Sequence, residues 1–164
     1  MKKYEFTGET KRVELWNRTA TLHRIKATVE FGFVKVGELG GWIEKEENLS
    51  HEGKAWVCGN AEVCGDAEVW GDAKVCGNAN VCGNAEVFLA SHVLVMGSVG
   101  SRNDFTTFFR DKDNEITVKC GCFLGKIDKF LEKVTQTHGN NKYALVYRAA
   151  VEVAKLQIEL TERK

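Results

Sequence analysis

Apolar and polar residues alternate with a strict six-residue period in the middle of the chain. Between residues 59 and 88 each unit has glycine, asparagine or aspartate, alanine, a variable residue, valine, and then cysteine or an aromatic residue. Alanine and valine stand two positions apart, so on a strand they point to the same side. The Gly-Asn or Gly-Asp pair favours a turn, because these residues tolerate positive φ. Each unit therefore predicts a short strand followed by a corner.

A six-residue period of strand and corner is typical of a hexapeptide β-helix. We predict a mainly β fold, a left-handed parallel β-helix of about three coils over residues 53–106, followed by a small C-terminal ββαα module. The units resemble the left-handed β-helix repeat, in which three hexapeptides form one coil, and this resemblance implies that residues 18 apart stack at the spacing of neighbouring strands. Eight valines are then expected to point inward: Val57, Val63, Val69, Val75, Val81, Val87, Val93 and Val99.

The segments on either side of the repeat have different patterns. Residues 1–52 predict strands and a cap that leads into the repeat. Residues 107–164 predict the ββαα module, with a hairpin around a charged turn at 111–114 and a first helix that carries apolar residues at helical spacing. Gly139 is the expected left-handed cap between the two helices. The predicted domains are therefore residues 1–52, 53–106 and 107–164.

Composition narrows the class of protein without identifying it. The chain has 164 residues, with 23 basic and 23 acidic side chains and no formal net charge. This balance argues against a general nucleic-acid-binding surface, which needs an excess of basic residues. We find no pattern typical of a signal peptide and no apolar stretch of about 20 residues, so we expect a cytoplasmic protein.

The six cysteines are expected to be reduced thiols in that compartment. Stacking places Cys58 on Cys76 and Cys64 on Cys82, in two outward columns. Two separate columns do not converge on one point, as a structural zinc site requires. We interpret these cysteines as small side chains that fill outer columns, and we expect no metal and no cofactor. A metal or redox role, and a disulfide between stacked partners, remain alternatives.

Enzymes built on this predicted fold depend on histidines, either as the general base of an acyltransferase or as three zinc ligands. Only His92 of the four histidines lies within the predicted coils. We therefore expect a protein that is not an enzyme, and an acyltransferase-like enzyme using His92 or His138 remains an alternative. Cys120 and Cys122 are interpreted as packing residues, although they offer a soft-metal site or a thiol nucleophile with His138 as its base.

Two surfaces are predicted to bind partners. Trp70 stacks on Phe88 beside Trp56, which predicts an apolar interface in a homo-oligomer, with a trimer favoured. The tail collects chemically varied side chains, several of them in the connection between its helices, where binding residues are often placed. The predicted binding residues are Arg110, Cys122, His138, Asn140, Asn141, Lys142, Tyr143 and Arg148. The two arginines suit bidentate contacts to phosphate or carboxylate.

Four stretches carry a resemblance to known proteins: TLHRIKA, GELGGWIEKEENLSHEG, the repeats, and ITVKCGCFLGKIDKFLEKVTQTHGNNKYA. On these stretches the chain resembles a group of small uncharacterised proteins of phages, prophages and gut bacteria. The resemblance implies non-catalytic binding to a host component in the host cytoplasm, either as an inhibitor of a defence system or by sequestering a nucleotide signal. The expected partner is a host protein or a signalling nucleotide, with no membrane contact. A purely structural or assembly scaffold is the alternative.

Overall fold

A computed structural model describes residues 2–15 and 17–160, which form a mixed α/β fold. The strands are β1 (Tyr4–Leu15), β2 (Arg18–Ala27), β3 (Leu39–Ile43), β4 (Trp56–Val57), β5 (Glu62–Val63), β6 (Glu68–Val69), β7 (Lys74–Val75), β8 (Asn80–Val81), β9 (Glu86–Val87), β10 (Val93–Val99), β11 (Asp104–Arg110), β12 (Ile116–Cys120) and β13 (Phe123–Lys126). The helices are α1 (Ile127–His138) and α2 (Lys142–Gln157). We call residues 55–88 the repeat and residues 93–160 the tail.

The largest sheet joins the N-terminal segment to the repeat. Its order is β1-β2-β3-β5-β8, with antiparallel pairing among the first three strands and parallel pairing among the last three. Close approach explains the two glycines of β3: a Cβ on Gly40 would lie 2.6 Å from Ile25 Cγ1, and one on Gly41 would lie 2.7 Å from the Ala61 carbonyl oxygen. The Gly-Gly pair therefore lets the hairpin lie tightly against the repeat.

Valines 18 residues apart stack in the repeat, as predicted. Val57 pairs with Val75, Val63 with Val81, and Val69 with Val87, each in parallel register. All six of these side chains are buried in one apolar core. The corner glycines that separate the strands have φ between 63° and 69°, where other residues are strained.

The predicted fold class, a left-handed β-helix of about three coils, is wrong. The parallel strands of the repeat are two residues long, and their pairing ends at Val87. After Phe88 the Gly-Asn or Gly-Asp corner is missing from the sequence, and the chain extends into a seven-residue strand instead. Val93 and Val99 consequently enter an antiparallel sheet, and Phe105 is exposed. The part of the chain that the structure describes contains small parallel sheets and no β-helix.

The hairpin and the two helices predicted for the tail are confirmed. Strands β11 and β12 flank the turn at 111–115, and Gly139 ends α1 with φ 61°. The sheet is larger than the predicted pair of strands, with the order β10-β11-β12-β13. Strand β11 connects two cores, because Phe109 packs into the repeat while Phe108 packs against Phe130 of α1.

Candidate functional site

The turn between α1 and α2 is organised by its own side chains. The Arg148 guanidinium donates hydrogen bonds to Asn140 Oδ1 at 3.0 Å and to the Gly139 carbonyl oxygen at 2.9 Å. Asn141 caps α2, since its Oδ1 accepts a bond from the Ala144 amide at 3.1 Å. The structure thus brings Asn140, Asn141 and Arg148 together as predicted, but it uses them to hold the turn.

The other predicted binding residues divide between two places. His138 stacks on the Tyr147 ring at 5.9 Å, and Tyr143 lies 5.6 Å from His138. Lys142 is exposed at the same turn. Arg110 lies apart from this turn and is buried against the last unit of the repeat, where it donates to the Glu86 carbonyl oxygen at 2.9 Å.

A cavity of about 170 Å³ opens beside His138, and we call it the tail cavity. Its walls come from the ends of β10, β12 and α1, together with the middle of α2. Its lining residues are Val99, Ser101, Arg102, Asp104, Thr106, Cys120, Gly121, Cys122, Phe123, Phe130, Lys133, Val134, Thr137, His138 and Tyr147. Most of the wall is apolar and aromatic, with a few polar groups, which is the usual character of a small-molecule site.

The polar groups that line the tail cavity are hydroxyls, thiols, an imidazole, two cations and the Asp104 carboxylate. The Thr106 hydroxyl donates to Cys120 Sγ at 3.3 Å. Burial is the main cause that raises the pKa of Tyr147, and the neighbouring Cys120 raises it further. This phenol therefore remains a hydrogen-bond donor at neutral pH. The cavity therefore presents an imidazole and a phenol between aromatic rings.

Two exposed cations, Arg102 and Lys133, stand at the rim of the tail cavity. Neither forms an ion pair within the part of the chain that the structure describes. Gly121 allows Arg102 to approach, because a Cβ there would lie 3.1 Å from Arg102 Nη1. Asp104 is the one carboxylate among the lining residues, so the two cations leave the rim with a net positive charge that attracts anions. Sequence reasoning missed Arg102, Lys133 and Tyr147, since they come from the β10–β11 connection, α1 and α2, which meet only in the folded chain.

A larger opening, the central cleft, lies on the other side of Cys122 and has a volume of about 490 Å³. It is lined by the β1–β2 connection, two corners of the repeat and the β12–β13 turn: Glu14, Leu15, Asn17, Arg18, Cys64, Gly65, Asp66, Cys82, Gly83, Asn84, Lys119, Gly121, Cys122 and Leu124. The two cations that line this cleft already have partners within the chain. Arg18 forms a double contact with Glu44 at 2.6 and 2.9 Å, and Lys119 donates to the Gly121 carbonyl oxygen.

The cysteines of the repeat behave as two different pairs. Cys58 and Cys76 form a disulfide, with their Cα atoms 4.6 Å apart, so the prediction that all six cysteines are reduced thiols is wrong for this pair. Cys64 and Cys82 are free and lie outside the valine core, in a separate cluster with Ala20, Leu22 and Trp42, so the N-terminal hairpin buries the column that was predicted to face outward. A hydrogen bond with Cys82, reinforced by burial, raises the pKa of the Cys64 thiol.

The predicted oligomer surface is partly covered. Trp70 is 40% exposed and stacks on Phe88 with ring centroids 4.4 Å apart. Trp56 is only 4% exposed and packs against Tyr4 and Phe31. The exposed aromatic surface here is therefore centred on Trp70.

Of the two histidines named for the acyltransferase alternative, His92 is buried. His92 Nδ1 accepts hydrogen bonds from the Phe88 and Leu89 amides, both at 3.2 Å, and burial lowers the pKa of His92. It closes a turn of the chain and faces no cavity among those described above. Within residues 2–15 and 17–160, no group of three or more His, Cys, Asp or Glu side chains is arranged to hold a metal ion.

Comparison with known proteins does not extend this description: no protein-family model matches the chain, and no curated protein matches it. Neither described helix is long and apolar enough to span a membrane.

Proposed function

We propose that this chain is a non-catalytic binding protein, and that its tail cavity takes a small anionic ligand with a planar ring, of the mononucleotide class. The observation that carries this proposal is an aromatic cavity with two exposed cations at its rim, Arg102 and Lys133, which form no ion pair with the described residues. The resemblance of the sequence to phage and prophage proteins implies such a role, in which the protein sequesters a nucleotide signal of the host.

The size of the tail cavity decides which part of such a ligand enters it. A volume of about 170 Å³ is below the ~300–1,000 Å³ of pockets that enclose drug-sized molecules. One ring system fits between Phe123, Phe130 and Tyr147, whereas a sugar and a phosphate stay outside. A phosphate held at the rim meets Arg102 and Lys133, and the guanidinium suits bidentate contact.

Thermal unfolding in the presence of adenosine monophosphate, adenosine and inorganic phosphate tests this proposal. At ten times its dissociation constant a ligand stabilises the folded state by about 1.4 kcal/mol, which raises the midpoint by about 3–6 °C for a chain of this size. The monophosphate should give the largest shift, because only it contacts both the rings and the rim.

Two lysine variants test whether the ligand binds at the rim of the tail cavity. Lys133→Ala should reduce the monophosphate shift toward that of adenosine, while Lys129→Ala, on the same helix and paired with Glu132 at 3.4 Å, should leave it intact. A monophosphate shift that Lys133→Ala leaves unchanged places the ligand elsewhere. If no mononucleotide shifts the midpoint, the proposal is wrong, and recovery of a host enzyme in stoichiometric amount would favour the inhibitor role.

A second candidate function, thiol chemistry, is favoured by one observation: Cys120, Cys122 and His138 line the same cavity. A thiol next to an imidazole base reacts as the thiolate. The rate of Cys122 alkylation by iodoacetamide, compared between the wild type and His138→Ala, tests it. A rate near that of glutathione in both proteins argues against this candidate.

A further inference from the structure

Helix α2 has an apolar surface that nothing in the described chain covers. One side of the helix packs into the tail core through Ala144, Tyr147, Val151 and Ala154. The opposite side exposes Leu145, Ala149, Val153 and Leu156, and we call these four residues the α2 stripe. Leu145 is 60% exposed and Leu156 is 88% exposed. A helix that is apolar on both sides is typical of one that is buried between two partners.

The spacing of the α2 stripe makes it a straight seam. Its members follow one another by four, four and three residues, an 11-residue period that stays close to the 3.6-residue turn of an α-helix. The four side chains therefore lie in one line along the exposed side. Leu160, just after the helix, is also exposed and lengthens the apolar surface.

We propose that the α2 stripe is the contact surface of a homodimer, in which the α2 helices of two copies pack antiparallel about a two-fold axis. In this arrangement Leu145 of each copy contacts the partner's Leu156, and Ala149 contacts the partner's Val153. The small Ala149 side chain lies next to the axis, where it lets the two helices approach closely. A two-fold axis makes the surface self-complementary, so that one stripe serves both copies.

The charges beside the α2 stripe select the antiparallel arrangement. At 100° per residue, Arg148 and Glu152 lie on the same flank of the stripe, one turn apart. Equal flanks face each other in an antiparallel pair, so each Arg148 lies near the partner's Glu152. A parallel pair sets this flank against Val146 and Gln157 and offers neither residue a contact in the other copy beyond those it has in its own chain, which are Arg148 with the α1–α2 turn and Glu152 with Lys155 at 3.5 Å. The opposite signs on one flank therefore fit a second copy of this chain.

The affinity of this contact is expected to be modest. A helix of 16 residues is about 24 Å long, which provides less surface than the roughly 800 Å² per partner of a standard interface. Dissociation constants in the micromolar range follow, and measurements should cover 1 to 100 µM.

Light scattering coupled to gel filtration gives the first test. At the upper concentrations the mass should approach twice the 18.3 kDa of the monomer. Leu156→Glu should restore the monomer mass and raise the dissociation constant at least tenfold. Phe33→Glu is the matched control, because Phe33 is 87% exposed and lies outside the stripe; it should leave the dimer intact. A monomer at 100 µM, or a dimer or trimer that Leu156→Glu leaves unchanged, overturns the proposal.

Crosslinking tests the orientation of the helices. Leu145→Cys and Leu156→Cys are prepared separately in a Cys122→Ser background, which removes the one exposed free thiol in the described chain. Mixed under an oxidising glutathione buffer, they should form disulfide-linked dimers that contain one chain of each kind, as seen by intact mass spectrometry. Each variant alone should stay uncrosslinked, because the axis separates its two thiols. Crosslinking of each variant alone shows a parallel pair and overturns the antiparallel arrangement.

Discussion

The repeat and the tail bury their apolar side chains in different ways. In the repeat, identical valines lie directly over one another, and every layer has the same shape. In the tail, the rings of Phe130 and Tyr147 meet edge to face at 5.7 Å, and the neighbouring side chains differ in size. The six paired valines of the equal layers are buried in one core, whereas the unequal rings of the tail line the tail cavity. Repetition thus gives a stable register, and the irregular part provides the candidate site.

Strand β11 is where the two kinds of core meet, and its aromatic pair gives the largest predicted effect. Phe109 packs into the repeat and Phe108 into the tail, and both are completely buried. Phe108→Ala and Phe109→Ala should each reduce the free energy of unfolding by about 3–5 kcal/mol, since each leaves a cavity. Urea titration followed by circular dichroism and by tryptophan fluorescence measures both.

Because one strand carries both rings, we expect the repeat and the tail to unfold together, so that the two signals coincide in both variants. Two separated transitions, with only one of them shifted in each variant, would show that the repeat and the tail fold independently and that β11 does not couple them.

The disulfide gives the next largest effect, and it belongs to the repeat alone. Cys58 and Cys76 are 18 residues apart, and a crosslink across a loop of that length is worth about 3 kcal/mol. Dithiothreitol should lower the stability of the wild type by this amount. The double variant Cys58→Ser, Cys76→Ser should lose the same stability and should no longer respond to the reductant.

The buried pair Cys64 and Cys82 provides the control for this measurement. Both thiols are free, so Cys64→Ala with Cys82→Ala should keep the full response to dithiothreitol. A wild type that is indifferent to the reductant would mean that the disulfide contributes nothing to stability.

The corner glycines give a smaller effect that depends on the position within the stack. Gly71 and Gly77 have φ of 65° and 69°, so alanine is strained at both by about 1–2 kcal/mol. A Cβ at Gly71 would also lie 2.8 Å from the Phe88 carbonyl oxygen, whereas one at Gly77 meets nothing within 4 Å. Gly71→Ala should therefore cost about 1 kcal/mol more than Gly77→Ala in thermal or chemical unfolding. Equal losses would show that the stack relaxes around the added methyl group.

The sequence predicted the repeat in local detail and failed on its extent. The alternation of alanine and valine placed the strands, and the coil of three units implied by the resemblance to a β-helix repeat gave the pairing of Val57 with Val75. What ends the stack is a missing Gly-Asn or Gly-Asp corner after Phe88. Val93 still follows the six-residue phase, so hydrophobic pattern alone could not distinguish a further turn of the stack from the antiparallel strand that forms.

The candidate site was only partly predictable for a different reason. His138 and Cys122 were named from their chemistry, and both line the tail cavity. Arg102, Lys133 and Tyr147 carry no local signal, since they come from a turn and two helices that meet only in the folded chain. Arg110 was predicted to share a binding surface with His138 and Cys122, yet its guanidinium lies 4.9 Å from the Phe88 ring centroid, in the region of the repeat.

The smallest predicted effect compares two lysines, one at the repeat and one in the tail. Lys3 is buried, with its Nζ donating to the Ala55 carbonyl oxygen at 2.7 Å, and burial lowers its pKa to about 8. Lys126 contacts three carboxylates within 3 Å, namely Asp111, Asp113 and Glu115, and their hydrogen bonds raise its pKa despite partial burial. Between pH 8 and 9.5 the unfolded chain keeps the Lys3 proton that the folded chain loses. The free energy of unfolding therefore increases with pH because of Lys3. Lys126 stays protonated in both states, so it does not make the free energy of unfolding depend on pH.

The measurement compares the wild type with Lys3→Met and with Lys126→Met. Relative to Lys3→Met, the wild type should become more stable by roughly 1 kcal/mol across this pH window. The difference in stability between the wild type and Lys126→Met should stay constant. Other groups, such as Cys64 with its raised pKa, cancel in these differences because they are present in all three proteins. Urea titrations at pH 8.0, 8.5, 9.0 and 9.5 provide the measurement, and equal slopes for the two variants would show that Lys3 is charged and solvated in the folded protein.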